Sequence, residues 1–162
     1  MNSSNVWTDR PLSEVLLSAA KHGGEGDREF LNACAVRART VEQDVKDFHT
    51  AFNHPAPEYV EDMPSMSMLE FRKRLIKEEC QELCEAIDEG NLSKIAAEAV
   101  DLIYVVVGTL VSLGLPLMPF WRDVQRANMT KVINPDGGKP LKPEGWVAPN
   151  PARVLYELKS RK

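Results

Sequence analysis

Apolar residues recur at helical spacing through the middle of the chain, and strand-like alternation is weak throughout. A first short helix is predicted from about Leu12 to Lys21, ended by His22-Gly23-Gly24. A second is predicted from about Asp27 to Phe52, with Leu31, Val41, Val45, Phe48 and Phe52 as its apolar positions. Pro55, Pro57 and Pro64 make residues 53–66 an extended connection. The third helix is expected to start near Ser67, where Ser67 and Glu70 have capping-box spacing. Its apolar stripe is Met68, Phe71, Leu75, Leu83, Ala86 and Ile87, and Gly90-Asn91 stops it. The fourth helix begins after Asn91 or Ser93 and runs to about Gly114. From Ala99 onward it is apolar nearly all round, which predicts a central, buried helix. Pro116 and Pro119 introduce a fifth, through Trp121 to about Val132. Prolines and glycines then crowd Asn134 to Pro151, a loop followed by a short helical turn at Arg153 to Leu158. The pattern predicts an all-α helical bundle of about four to five helices. It divides into an N-terminal helical extension (1–40), a bundle carrying the candidate chemistry (41–133) and a Pro/Gly-rich tail (134–162).

Composition narrows the function. The 162 residues suit one domain. They hold 20 Lys+Arg against 24 Asp+Glu, for a net charge of -4. That balance argues against a general nucleic-acid or anionic-membrane binder. Cys34, Cys80 and Cys84 are an odd count with no second metal-binding pair; Cys80 and Cys84 read as small buried hydrophobes in a reduced compartment. The N-terminus lacks a basic stretch followed by an apolar core, and Leu102 to Leu115 is about 14 residues, short for a bilayer. A soluble, cytoplasmic protein is expected.

The chemistry is carried by acids on apolar faces. Glu79 lies four residues after Leu75 and Glu82 four before Ala86, so both sit on the third helix's apolar stripe, about 4.5 Å apart along the axis. Glu78 is turned by about 100° toward the stripe's edge. In the fourth helix Glu98 falls between Ile95 and Leu102, and Asp101 lies within Ala99-Val100-Asp101-Leu102-Ile103. Four carboxylates therefore face inward from neighbouring helices. Crowded carboxylates repel and resist desolvation, so they stay ionised only with something positive between them. Oxygen-only donors suit Mg²⁺ or Mn²⁺, and Mg²⁺ commonly binds substrate phosphates too. Glu70, Lys77, Glu85, Asp88 and Glu89 read as solvated positions. A di-iron bundle would need Glu-x-x-His, and none of His22, His49 or His54 follows a Glu by three.

Glu78-Glu79-x-x-Glu82 followed by Glu98-x-x-Asp101 resembles the signature of the MazG-like all-α nucleoside triphosphate pyrophosphohydrolases, relatives of dimeric dUTPases and phosphoribosyl-ATP pyrophosphohydrolases. The resemblance extends over about residues 42–149. It takes in Val45 to His49, Phe71-Arg72 to Leu75-Ile76, Asp101 to Thr109, Arg126 to Lys131, and Lys139 to Trp146. It implies an all-α fold, Mg²⁺ dependence, cleavage of a nucleoside triphosphate to the monophosphate and pyrophosphate, and a homodimer or homotetramer. By motif position it makes Glu79, Glu82, Glu98 and Asp101 the metal ligands, with Glu78 a further metal contact or the group that orients the attacking water.

Water is then expected to attack the α-phosphorus. The triphosphate's charge calls for protein cations, for which Lys131, Lys139 and Lys142 are the candidates, with Asn128 one turn before Lys131. Solvated loop lysines and, for Lys131, a favourable charge at a helix C-terminus are the plainer readings. Trp146 is a candidate stacking surface for a base, against the commoner role of pinning its own loop. Tyr104, three residues after Asp101, belongs either to the nucleotide pocket or to the core. Two alternatives stay open: a non-catalytic module binding nucleotides or a partner helix, and a related hydrolase acting on phosphoribosyl-ATP or a guanosine alarmone.

Overall fold

The computed structural model describes residues 40–60 and 64–160. The helix expected over Leu12 to Lys21, and the second helix before Thr40, lie outside them. The chain divides into two compact units, Met1–Asp44 and Val45–Lys162, and the site belongs to the second. The described residues form five helices: α1 (Val41–Ala51), α2 (Met66–Glu89), α3 (Leu92–Ser112), α4 (Leu117–Met129) and α5 (Pro151–Lys159).

Side-chain caps set the starts of α1, α2, α3 and α5. The second predicted helix does not run unbroken from Asp27 to Phe52. Thr40 is non-helical, and its hydroxyl accepts the Gln43 N–H at 3.2 Å, so a helix starts afresh at Val41. α2 is capped by Ser65, not Ser67. Extended backbone at Ser65, next to Pro64, lets its hydroxyl accept the Met68 N–H at 3.3 Å. Glu70 then pairs with Lys73 at 2.9 Å instead of closing a capping box. Gly90 ends α2 in the left-handed region, and Asn91 caps α3 by accepting from the Ser93 and Lys94 N–H groups. So short a connection folds α2 and α3 back on each other, and they make the principal helix–helix contact.

α3 departs from the expected central position. Val107, Gly108, Val111 and Ser112 are buried, yet Val100, Ile103 and Val106 are 59%, 54% and 43% exposed. The rest of the described chain covers the face of Val107 and Val111 toward the end of α3, and leaves the helix open at the earlier Val100 and Ile103 and at Val106. α3 has 21 residues and a mean hydropathy of 1.8 over its most apolar window, which passes a length-and-composition test for a membrane span. Its packing against α2 and its own Glu98 and Asp101 mark it instead as a helix built into a protein. Cys80 and Cys84 are likewise exposed, contrary to expectation.

The core is small: Val45 of α1 packs with Val107 and Val111 of α3, flanked by Ala56, Tyr104 and Leu117. Gly114 lets the 53–60 connection cross the end of α3. Its φ is 64°, and a Cβ there would lie 2.2 Å from the Tyr59 carbonyl oxygen. α4 stops at Met129, short of Val132, because Val132 turns away to exchange two backbone hydrogen bonds with Leu141. The Pro/Gly-rich segment that follows is tied down at several points. Trp146 Nε1 donates to the Ala127 carbonyl at 2.8 Å, and Arg126 donates to the Ala148 carbonyl at 3.2 Å. Buried Asp123 accepts from the Asn150 N–H and pairs with Arg126 and Arg153, docking α5 on α4.

Candidate active site

The facing sides of α2 and α3 bring the acids together. One carboxylate oxygen from each of Glu79, Glu98 and Asp101 lies within 4.8 Å of the others. Glu82, one turn beyond Glu79, adds a side-chain contact to Glu98. Glu78 is exposed beside them, close enough to raise the proton affinity of both Glu79 and Glu82. The setting is less dry than the sequence suggests: Glu79 and Glu98 are half-buried, whereas Glu82 and Asp101 are exposed.

Like charge crowds Glu79 and Glu82. Burial, then Glu82, Asp101, Glu78 and Glu98 in that order, pushes the Glu79 carboxyl above its usual range. Burial first, then Glu98 and Glu78, does the same to Glu82. Among the described residues no Lys or Arg pairs with any of these acids; the nearby Lys94 is held by Glu89 at 2.6 Å.

The donor set fits a hard divalent cation. Mg²⁺–oxygen bonds of about 2.0–2.1 Å place any two ligands of one ion within about 4.2 Å. Neighbouring ligands of one octahedral ion lie about 2.9 Å apart, so the three oxygens, within 4.8 Å of one another, would draw in by up to about 2 Å through side-chain rotation. Glu79, Glu98 and Asp101, with Glu82 alongside, are the residues that would hold it.

A cavity of about 480 Å³ opens from these acids, a size that accepts a small organic ligand. Glu79 and Asp101 line its acidic end. Phe48, His54, Phe71 and Tyr104 line it with rings, Phe48 meeting Tyr104 edge-on at 5.5 Å and lying near-parallel to His54 at 6.2 Å. His49 and Arg72, both buried, also face it. Tyr104 thus borders both the pocket and the core.

The other substrate-binding candidates gather elsewhere. Lys142 stands 4.5 Å and Lys131 5.9 Å above the Trp146 ring. The indole is fixed by its bond to Ala127, and Asn128 and Lys139 are exposed. None of these five lines the cavity.

His49, His54, Phe71 and Arg72 line the cavity without belonging to the sequence's candidate chemistry. One signal was available. Arg72 lies four residues after Met68 and three before Leu75, a charge set into the stripe just as Glu79 is. His49 likewise lies one turn after buried Val45.

A family model for phosphoribosyl-ATP pyrophosphohydrolase matches residues 45–128. The chain belongs to that family. Among curated proteins, none matches it. The family stretch spans every residue lining the cavity and all of the acids, and stops short of Lys131, Lys139, Lys142 and Trp146. Membership makes this all-α protein a pyrophosphohydrolase acting on nucleotide phosphates.

Proposed function

We propose that the protein is a Mg²⁺-dependent nucleoside triphosphate pyrophosphohydrolase, releasing the monophosphate and pyrophosphate, with Mn²⁺ as a substitute metal. The observation that carries this is the cluster of Glu79, Glu98 and Asp101 at the mouth of a cavity large enough for a nucleotide. A bound divalent ion supplies charge neutralisation for phosphate oxygens and a lowered pKa for an attacking water. Glu79, Glu98 and Asp101, assisted by Glu82, would hold that ion, and through it the triphosphate end. Glu78, exposed beside them, is placed to accept a proton from water. The aromatic walls exclude solvent from the rest of the nucleotide. Lys131 and Lys142, held on Trp146, are available as cations for departing pyrophosphate only if the bound nucleotide or a second copy of the chain reaches them.

The enzyme is a cytoplasmic homo-oligomer on this reading. Val100, Ile103 and Val106 of α3 with Ile87 of α2 form an exposed apolar surface on the principal helix pair. A second copy of the chain is the occupant that would cover it.

The family's own description favours one competitor, phosphoribosyl-ATP. Turnover of the eight common nucleoside and deoxynucleoside triphosphates and of phosphoribosyl-ATP, with Mg²⁺ and with chelator, separates the readings by chromatography. Mg²⁺-dependent monophosphate from a triphosphate supports the proposal. Turnover of phosphoribosyl-ATP alone replaces its substrate, and saturable binding with no product makes the chain a binding module.

A further inference from the structure

Arg72 is a buried guanidinium with no ion-pair partner among the described residues. Its protein partners are neutral: Nε donates to Thr109 Oγ1 at 3.2 Å and Nη2 to the Val105 carbonyl. Desolvation of an unpaired charge is costly, so a buried guanidinium of this kind calls for a function. His49 lies beside it. Its Nδ1–H donates to the Pro55 carbonyl at 2.7 Å, which leaves Nε2 as a lone-pair acceptor on the neutral ring. Burial first, with Arg72 and His54 adding, holds that ring's pKa below its usual value, against the Pro55 bond, which raises it.

Arg72 Nη1 and His49 Nε2 carry no hydrogen bond among the described residues. No sealed side-chain polar atom among those residues lacks a partner, so neither atom is sealed off, and both side chains line the cavity. Gly108 makes the arrangement possible. A Cβ at Gly108 would lie 2.6 Å from Arg72 Nη2 and 3.0 Å from His49 Nε2. A glycine inside a helix costs about 1 kcal/mol relative to alanine, and here the missing methyl is what lets both side chains lie against α3.

Arg72 and Glu79 share one face of α2, seven residues or about 10.5 Å of helix rise apart. The cavity therefore has an acidic end and, along the same helix, an end offering a hydrogen-bond donor beside an acceptor. A phosphate, which only accepts, would meet repulsion from the His49 lone pair. A nucleobase edge, with an acceptor and an N–H side by side, complements the pair. We infer that Arg72 and His49 bind the base edge of the nucleotide, and that Gly108 is the positioning residue that sets Arg72 in place. The inference rests on the nucleotide reading above.

The test compares a preferred nucleoside triphosphate with abasic deoxyribose 5′-triphosphate, which keeps the sugar and phosphates and lacks the base. In wild type the base should lower KM. Arg72→Met and Gly108→Ala should raise KM for the nucleotide by about 10- to 100-fold, the worth of one charge-assisted hydrogen bond. KM for the abasic compound, and Mn²⁺ affinity by calorimetry, should stay within about twofold. Arg72→Lys should restore part of the nucleotide affinity. Equal losses for both compounds would show a merely structural role and overturn the inference, as would an unchanged nucleotide KM. If Arg72→Met fails to fold, Arg72→Lys and Gly108→Ala decide on the same criterion. A wild type that turns over neither compound contradicts the enzyme reading itself, a failure distinct from these.

Discussion

Glu79 and Arg72 are two charges on one face of α2, and their surroundings treat them oppositely. Arg72 is wrapped by neutral acceptors from α3, whereas Glu79 is surrounded by other acids. Removing a charge from the acid cluster should therefore cost function without costing the fold. Glu79→Gln and Asp101→Asn are expected to lower Mg²⁺-dependent turnover by about a hundredfold or more. The metal-free melting temperature should hold or rise, because like-charge repulsion is relieved. Steady-state kinetics with thermal melts in chelator check both; full activity in either variant would remove these carboxylates from the chemistry. Val111, almost wholly buried in the core, should behave in the opposite way. Val111→Ala is expected to cost about 1–3 kcal/mol of stability, read by denaturant unfolding.

The five helices are held by a few specific contacts, and α5 depends on one of them most clearly. The Asn150 N–H, then Arg126 and Arg153, hold the Asp123 carboxyl below its ordinary value of 3.8. A carboxyl with a depressed folded pKa contributes stability that is fully present above its unfolded value and lost as pH falls through the folded one. The docking of α5 should accordingly weaken below about pH 3.8. Asp123→Asn should lower the melting temperature by several degrees at neutral pH and flatten that acid limb; identical melts across the pH range would show that Asp123 does not clasp α5. Trp146→Ala should release the preceding hairpin, seen as faster proteolysis between Asn134 and Pro149, because it removes the bond to Ala127.

Much at this scale is legible in the sequence. Gly90-Asn91 marks the α2–α3 break, and the spacing of Glu79, Glu98 and Asp101 places them on facing stripes. Other features depend on tertiary choice. Ser65 and Ser67 are chemically equal as caps, and only the extended chain after Pro64 selects the first. The 53–60 connection carries no chemical motif, yet its Pro55 carbonyl sets the His49 tautomer and its His54 walls the cavity. The depth of α3 could not be read from composition either, because an all-round apolar helix can face its own core or a second molecule.

At the scale of the whole molecule, the open surface is the feature that matters. Val100 and Ile103 are more than half exposed, and Val106 is exposed too, on the same helix that carries Glu98 and Asp101. Charging this face should therefore break the proposed assembly. Ile103→Glu is expected to yield monomers by light scattering with chromatography, while circular dichroism stays helical. A variant that remains assembled would show that this apolar face is not the interface.

The central claim is that this chain directs water to the α-phosphorus of a nucleotide held at its carboxylate cluster. Turnover in heavy-oxygen water, with mass analysis of both products, tests it most directly. The expected result is one heavy oxygen in the nucleoside monophosphate, none in the pyrophosphate, and no product in chelator. Label in pyrophosphate or in released orthophosphate, or turnover that persists without a divalent metal, would contradict it.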